Sequence, residues 1–200
     1  MRIAVVDYNA GNTCSVLFAL ERLGITPTLT ADAQVIAAAD GVIFPGVGAA
    51  GSAMQHLQAA GLDALIATLT QPVLGVCLGM QLLYDSSEEN NTNCLGIIPG
   101  RVSLLHARIV PHTGWNQLLT TQGPLFAQLP TGHNQYFVHS FAAPVGPYTL
   151  AIADHDGAFS AAVGYKNFYG VQFHPEKSGT EGAQVLANFL DIVKNAAPFN

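Results

Sequence analysis

The run Val73-Leu83, VLGVCLGMQLL, restricts the fold more than any other stretch of this chain. An apolar, strand-like segment passes into a helix-like one without a linker. The junction carries Cys77 with a glycine two residues to either side, Gly75 and Gly79. A buried structural cysteine needs no such flanks. A cysteine on a sharp strand-to-helix turn does, because a chain that reverses so tightly leaves no room for nearby side chains. The rest of the first half fits a strand feeding a helix. Arg2-Val6, Thr26-Thr30, Gly41-Phe44 and Val73-Val76 read as strands, with Ser15-Leu23, Ser52-Ala60 and Leu62-Leu69 as helices between them. This alternation predicts a parallel sheet covered on both faces.

The second half changes character. Asp85-Asn93, DSSEENNTN, reads as an exposed polar loop. Gly96-Leu105, Gln135-Phe141, Thr149-Ala153, Ala158-Tyr165 and Tyr169-Phe173 read as strands, and Gly182-Lys194 as a closing helix. No repeat, low-complexity tract or linker divides the chain. The expected architecture is a three-layer α/β sandwich with a mostly parallel central sheet and added antiparallel strands, in a single domain over residues 1–200.

Composition narrows the partners. The chain is 50% hydrophobic and only 10% charged, which marks a globular protein. Its net charge of −6 disfavours nucleic acid or an anionic membrane surface. No apolar run reaches the roughly 18 residues of a membrane helix, and the opening MRIAVVDYNAGN reads as a first strand, not a signal peptide. Three cysteines, Cys14, Cys77 and Cys94, fit a reducing cytoplasm better than a disulfide framework.

Cys77 falls where ligands collect in open α/β sheets, outside the carboxyl ends of the strands. Gly75-Val76-Cys77-Leu78-Gly79 has the spacing of the nucleophile elbow G-x-S-x-G, with cysteine in place of serine. The bland alternative is a cysteine acting as a small apolar filler. A thiol nucleophile wants an imidazole nearby. Of seven histidines, His174 ends the apolar run Val171-Gln172-Phe173 and precedes Pro175 and Glu176. Proline fixes the backbone there, and Glu176 is placed to orient the ring. Gly46-Val47-Gly48, at another strand end, is either a plain turn or a loop whose N–H groups join that of Leu78 in an oxyanion hole. His112, His139 and His155 show no metal-ligand spacing. His112 and His139 read as hydrogen-bonded structural histidines near the active face, His155 as a residue of a surface turn, and Glu88-Glu89 as solvated charges.

Together, Gly-Val-Cys-Leu-Gly-Met-Gln at 75–81, Pro-Gly-Val-Gly at 45–48 and His-Pro-Glu at 174–176 resemble the class I (triad) glutamine amidotransferases. Val110-Pro111-His112-Thr113-Gly114-Trp115-Asn116, Tyr136-Phe137-Val138-His139-Ser140-Phe141 and His174-Pro175-Glu176-Lys177-Ser178 are similar to the HisH-type branch, the glutaminase subunits of imidazole glycerol phosphate synthase. The resemblance runs along essentially the whole chain and implies a flavodoxin-like amidotransferase fold. It implies that Cys77 attacks the side-chain amide of glutamine, with His174 and Glu176 assisting, and that ammonia passes to a HisF-like (β/α)8 cyclase subunit in a heterodimer. The cyclase would then make imidazole glycerol phosphate and the aminoimidazole carboxamide nucleotide of histidine biosynthesis. Gly48 and Gln81 would help bind glutamine, the Ser140-Phe141 backbone would meet its α-amino and α-carboxylate end, and Asn12, Trp115, Tyr136 and Lys177 would face the partner. No metal or organic cofactor is implied.

The chain departs from the branch at Gly11-Asn12-Thr13-Cys14-Ser15, where Gly-Asn-Leu-Arg-Ser is usual, and at Thr113, where methionine is common. Other readings of the same residues are a glutaminase serving pyridoxal phosphate or aminodeoxychorismate synthesis, a non-catalytic scaffold subunit, and a cysteine hydrolase. Pro-Glu-Lys-Ser after His174 and Pro-His-x-Gly-Trp-Asn upstream favour the histidine pathway.

Overall fold

The opening strand decides the layering, because it is apolar on both faces. In the computed structural model, which describes residues 1–8 and 13–196, strand β1 (Ile3–Val6) is buried throughout. The chain continues through α1 (Thr13–Arg22), β2 (Thr28–Thr30), α2 (Ala33–Ala37), β3 (Gly41–Gly46), α3 (Ala50–Ala59), α4 (Leu62–Thr68), β4 (Val73–Cys77) and α5 (Leu78–Gln81). Then come β5 (Tyr84–Ser87), β6 (Thr92–Asn93), β7 (Ile98–Leu104), β8 (His112–Gln117), β9 (Thr120–Thr121), β10 (Asn134–His139) and β11 (Phe141–Ala142). The closing elements are β12 (Thr149–Asp154), β13 (Ala158–Tyr165), β14 (Phe168–Val171) and α6 (Gly179–Ala196).

Among the described residues, eight strands form the main sheet in the order β2-β1-β3-β4-β14-β13-β12-β9. The part from β2 to β14 is parallel, and β13, β12 and β9 run antiparallel. Successive side chains of a strand point to opposite faces. Accordingly Ile3 and Val5 meet Leu20 of α1 and Phe189 of α6, whereas Ala4 and Val6 lie in the core with Ile36 of α2, Leu57 of α3 and Ile66 of α4. Helix, sheet and helix make the three layers. Two small sheets, β10-β8 and β11-β7-β5-β6, are added to this body, and they build one wall of the site.

Three stretches differ from the sequence reading. Asp85-Asn93 is not an open loop. It forms β5, a 3-10 turn at Glu89–Asn91 and β6, because its polar side chains bind backbone. Asp85 accepts from the Gly100 amide at 2.9 Å, Glu88 from Leu104 at 2.8 Å and Glu89 from Ala50, at the start of α3, at 2.7 Å. Helix α2, unforeseen, is capped by the Asp32 carboxylate, which accepts from Gln34 N–H at 2.7 Å. Strand β8 was also unforeseen, because His112-Thr113-Gly114-Trp115-Asn116-Gln117 lacks the apolar alternation that marks a strand.

Candidate active site

Cys77 is the last residue of β4 and adopts φ 53°, ψ −111°, a backbone conformation that non-glycine residues rarely occupy. The surrounding packing holds it there. A Cβ on Gly79 would overlap the Phe44 carbonyl of β3, and one on Gly75 would lie 2.7 Å from the Gly79 carbonyl oxygen. One on Gly46 would meet the Tyr8 hydroxyl at 2.5 Å and the Gly79 amide at 2.8 Å. The three glycines mark where β3, β4 and α5 touch backbone to backbone. The helix beyond the elbow is a single turn, so its dipole adds little to the electrostatics at the sulfur.

β14 lies beside β4 in parallel register, Val171 opposite Val76, and this brings His174 to the rim that carries Cys77. The His174 Nδ1–H donates to Glu176 Oε1 at 2.8 Å, and both side chains are 2% exposed. His174 Nε2 is buried, and apart from the Cys77 sulfur it interacts with none of the described residues. Burial alone would push this imidazole down. The hydrogen-bonding and negative charge of Cys77 and Glu176 outweigh it and lift the pKa to about 9. The Cys77 sulfur lies 3.8 Å from the Val138 carbonyl oxygen and 3.8 Å from Gln172 Nε2.

Cys77 and His174 share a cavity of about 270 Å³. Of the residues expected on the substrate side, Val47, Gly48, Leu78, Gln81, Ser140 and Phe141 line it, and Gly46 is buried just behind. Gly48 has φ 94° with open space around the missing side chain, so the loop is shaped by glycine without being packed shut. Gln81 lines the cavity as a brace: its Nε2 donates to the Phe141 carbonyl at 2.8 Å and to Gln172 Oε1 at 2.9 Å. A thiol, an imidazole that can hold its proton and a carboxylate orienting that ring suffice for acyl transfer through a thioester.

The residues expected to face a partner are mixed. Trp115 is 59% exposed, with its ring edge-on to Tyr136 at 6.0 Å between centroids, so it is no core aromatic. Tyr136 is half-buried and Lys177 exposed. Asn12 lies outside the described residues, as does Gly11. Cys14, at the position where the branch usually has arginine, is exposed on α1.

Several functional neighbours were missed. Gln172 reaches the sulfur, yet nothing in Val-Gln-Phe distinguishes it. Glu89 lines the cavity and binds the start of α3, so it is no solvated charge. His112 and His139, by contrast, are hydrogen-bonded near the site as the sequence suggested, and His139 lines the cavity. His155 does sit in a turn, but its ring is folded onto His112, with centroids 4.2 Å apart.

A parallel sheet with a cysteine elbow at one strand end and a His-Glu pair at the next has the arrangement of a thiol-dependent acyl-transfer enzyme. The family profile described as "Glutamine amidotransferase class-I" matches residues 4–193. Imidazole glycerol phosphate synthase subunit HisH of Bacteroides thetaiotaomicron is 51% identical over 96% of this chain and 100% of that protein. The subunit of the same name from Xylella fastidiosa is 46% identical over 95% of this chain and 97% of its own length. Among solved structures, PurLQS from Thermotoga maritima superposes with a TM-score of 0.74 at 20% identity, covering 95% of this chain and 97% of that one. A chain described as glutamine amidotransferase gives 0.75 at 17% identity, over 96% and 98%. The chain belongs to the class-I glutamine amidotransferases, in the family of HisH subunits of imidazole glycerol phosphate synthase.

Proposed function

We propose that this chain is the glutaminase subunit of an imidazole glycerol phosphate synthase and acts as one amidotransferase domain. Cys77 Sγ, its proton already held by His174 Nε2, attacks the side-chain carbonyl carbon of glutamine. Amide N–H groups of Leu78 and of the Gly46-Val47-Gly48 loop receive the developing oxyanion. The C–N bond then breaks, and the proton on His174 goes to the departing nitrogen, giving ammonia and a thioester. Water, deprotonated by His174, attacks the thioester, and glutamate leaves as the C–S bond breaks with the proton kept on His174. Glu176 holds the ring with Nδ1–H fixed and steadies its positive charge throughout.

The observation that carries this reading is the His174 ring, held by Glu176, in the same cavity as a sulfur on a strained elbow. The cavity lies just under the roughly 300–1,000 Å³ of drug-sized sites, which suits an amino acid. Gln81, Gly48, Ser140 and Phe141 are the residues we assign to glutamine.

Ammonia then passes to a separate HisF-like (β/α)8 cyclase in a heterodimer within the cytoplasm. Support for that partner comes from the β8–β10 ribbon. Its register pairs Tyr136 with Trp115 and Val138 with Thr113, so these four side chains share the outer face, while His112, Phe137 and His139 turn inward. Exposed Trp115 thus shares a face of the ribbon with Val138, which also borders the cavity, so this face adjoins the site. Lys177 and Asn12 complete the partner-facing set we assign.

The test is glutamate release by the chain alone, then with the cyclase and its nucleotide ligand. Hydrolysis stimulated by the ligand-bound partner and abolished by Cys77→Ala is the expected result; a chain that hydrolyses no glutamine in the complex overturns the reading.

A further inference from the structure

We infer that His112 and His139 are positioning residues that fix the cavity wall Val138–Phe141 by clamping the Phe141 carbonyl, and so set the affinity for glutamine more than the rate of its chemistry. The inference rests on the glutaminase reading above.

Hydrogen-bond directions in this pair are fully determined. His139 Nδ1 lies 2.9 Å from the Phe141 carbonyl oxygen, which only accepts, so Nδ1 carries the hydrogen. His139 Nε2 is then a lone pair, and His112 Nδ1, 3.0 Å away, must donate to it. That leaves His112 Nε2 as an acceptor, and Asn116 Nδ2 approaches it at 3.2 Å while also donating to the Asp154 carbonyl at 2.8 Å. The chain therefore runs one way, Asn116 to His112 to His139 to Phe141. A proton added to either ring would set N–H against N–H. Burial keeps both rings neutral, with His112 pushed down to about 4 and His139 to about 3.

The clamp acts on a short connecting segment. The chain leaves β10 at His139 and enters β11, only two residues long, at Phe141. Ser140 between them is tied by its carbonyl to the Leu105 amide at 2.8 Å. Phe141 is held from two sides, by His139 Nδ1 and by Gln81 Nε2 at 2.8 Å. All four residues from Val138 to Phe141 line the cavity, and the Val138 carbonyl stands against the Cys77 sulfur. His112 itself does not line the cavity, so it acts through His139.

The role separates from mere packing. His112 stacks on His155 at 4.2 Å and on Phe137 at 4.9 Å, so His112→Phe keeps an aromatic ring and loses the donor. His112→Asn loses the ring and keeps a donor at the δ position. Both are to be assayed in the complex with the cyclase. His112→Phe should raise KM for glutamine about tenfold with kcat changed less than about threefold, and His112→Asn should recover most of that loss. A second pair, His139→Asn with the δ donor kept and His139→Ala without it, is read the same way if His112→Phe does not fold. Equal effects of the donor and non-donor variants, or loss of kcat at unchanged KM, overturn the inference. Cys77 alkylation supplies a further reading: capture by a glutamine-like chloroketone should slow with KM, while iodoacetamide should react at the wild-type rate. Failure of that KM pattern in an active enzyme sinks the clamp alone, whereas a wild-type complex that releases no glutamate sinks both readings.

Discussion

His174 has its charge set by two neighbours acting against its burial, and that has a consequence for stability. A histidine lifted by its partners from 6.5 to about 9 stabilises the folded chain fully below about pH 6.5, and the contribution is lost as pH rises through about 9. Denaturant midpoints measured between about pH 6 and 10 should fall by an amount equivalent to at most roughly 3 kcal/mol, and Glu176→Gln should flatten that fall. A profile identical in wild type and Glu176→Gln would show that the carboxylate does not hold the proton. The triad residues were legible in the sequence because each carries a local mark: glycines around Cys77, a strand end and proline at His174, a carboxylate two residues on. Gln172 and Glu89 carry none. Gln172 acquires its place at the sulfur only when β14 pairs with β4, and Glu89 only when its turn reaches the first amide of α3.

At Gly46, Gly75 and Gly79 the strands β3 and β4 meet α5 with backbone close to backbone. Gly79→Ala should therefore act on the elbow as a whole, since its new methyl would have to displace the Phe44 carbonyl of a central strand. We expect a loss of more than about 3 kcal/mol of stability or failure to accumulate as folded protein, read by thermal unfolding. A variant as stable as wild type would mean the strand and helix can separate. The elements themselves were legible wherever burial imposed a period. β1, β3 and β4 announce themselves as apolar runs, and α6 by its spacing. β8 does not, because its inward residues are His112 and Asn116, polar groups satisfied by one another and by backbone. For the same reason Asp85-Asn93 looked like loop: its polar side chains are spent on amides rather than water.

The β8–β10 ribbon has two faces with different duties, an exposed one bearing Trp115 and an inner one bearing the histidine pair. Trp115→Ala should weaken association with the cyclase by about 2 kcal/mol, roughly thirtyfold in Kd by titration calorimetry, and an unchanged Kd would remove this face from the interface. The overall layering followed from the β–α alternation of the first half, while the two added sheets followed from long-range pairings such as β10 with β8 that no local pattern encodes. Drawing the thiol from β4 and the imidazole from beyond β14 also bears on synthesis at the ribosome. Nearly a hundred residues separate the two, so the second is translated well after the first. A nascent polypeptide therefore exposes a lone cysteine with no base to activate it, and cellular glutamine is safe from half-made copies until the last parallel strand has slotted home.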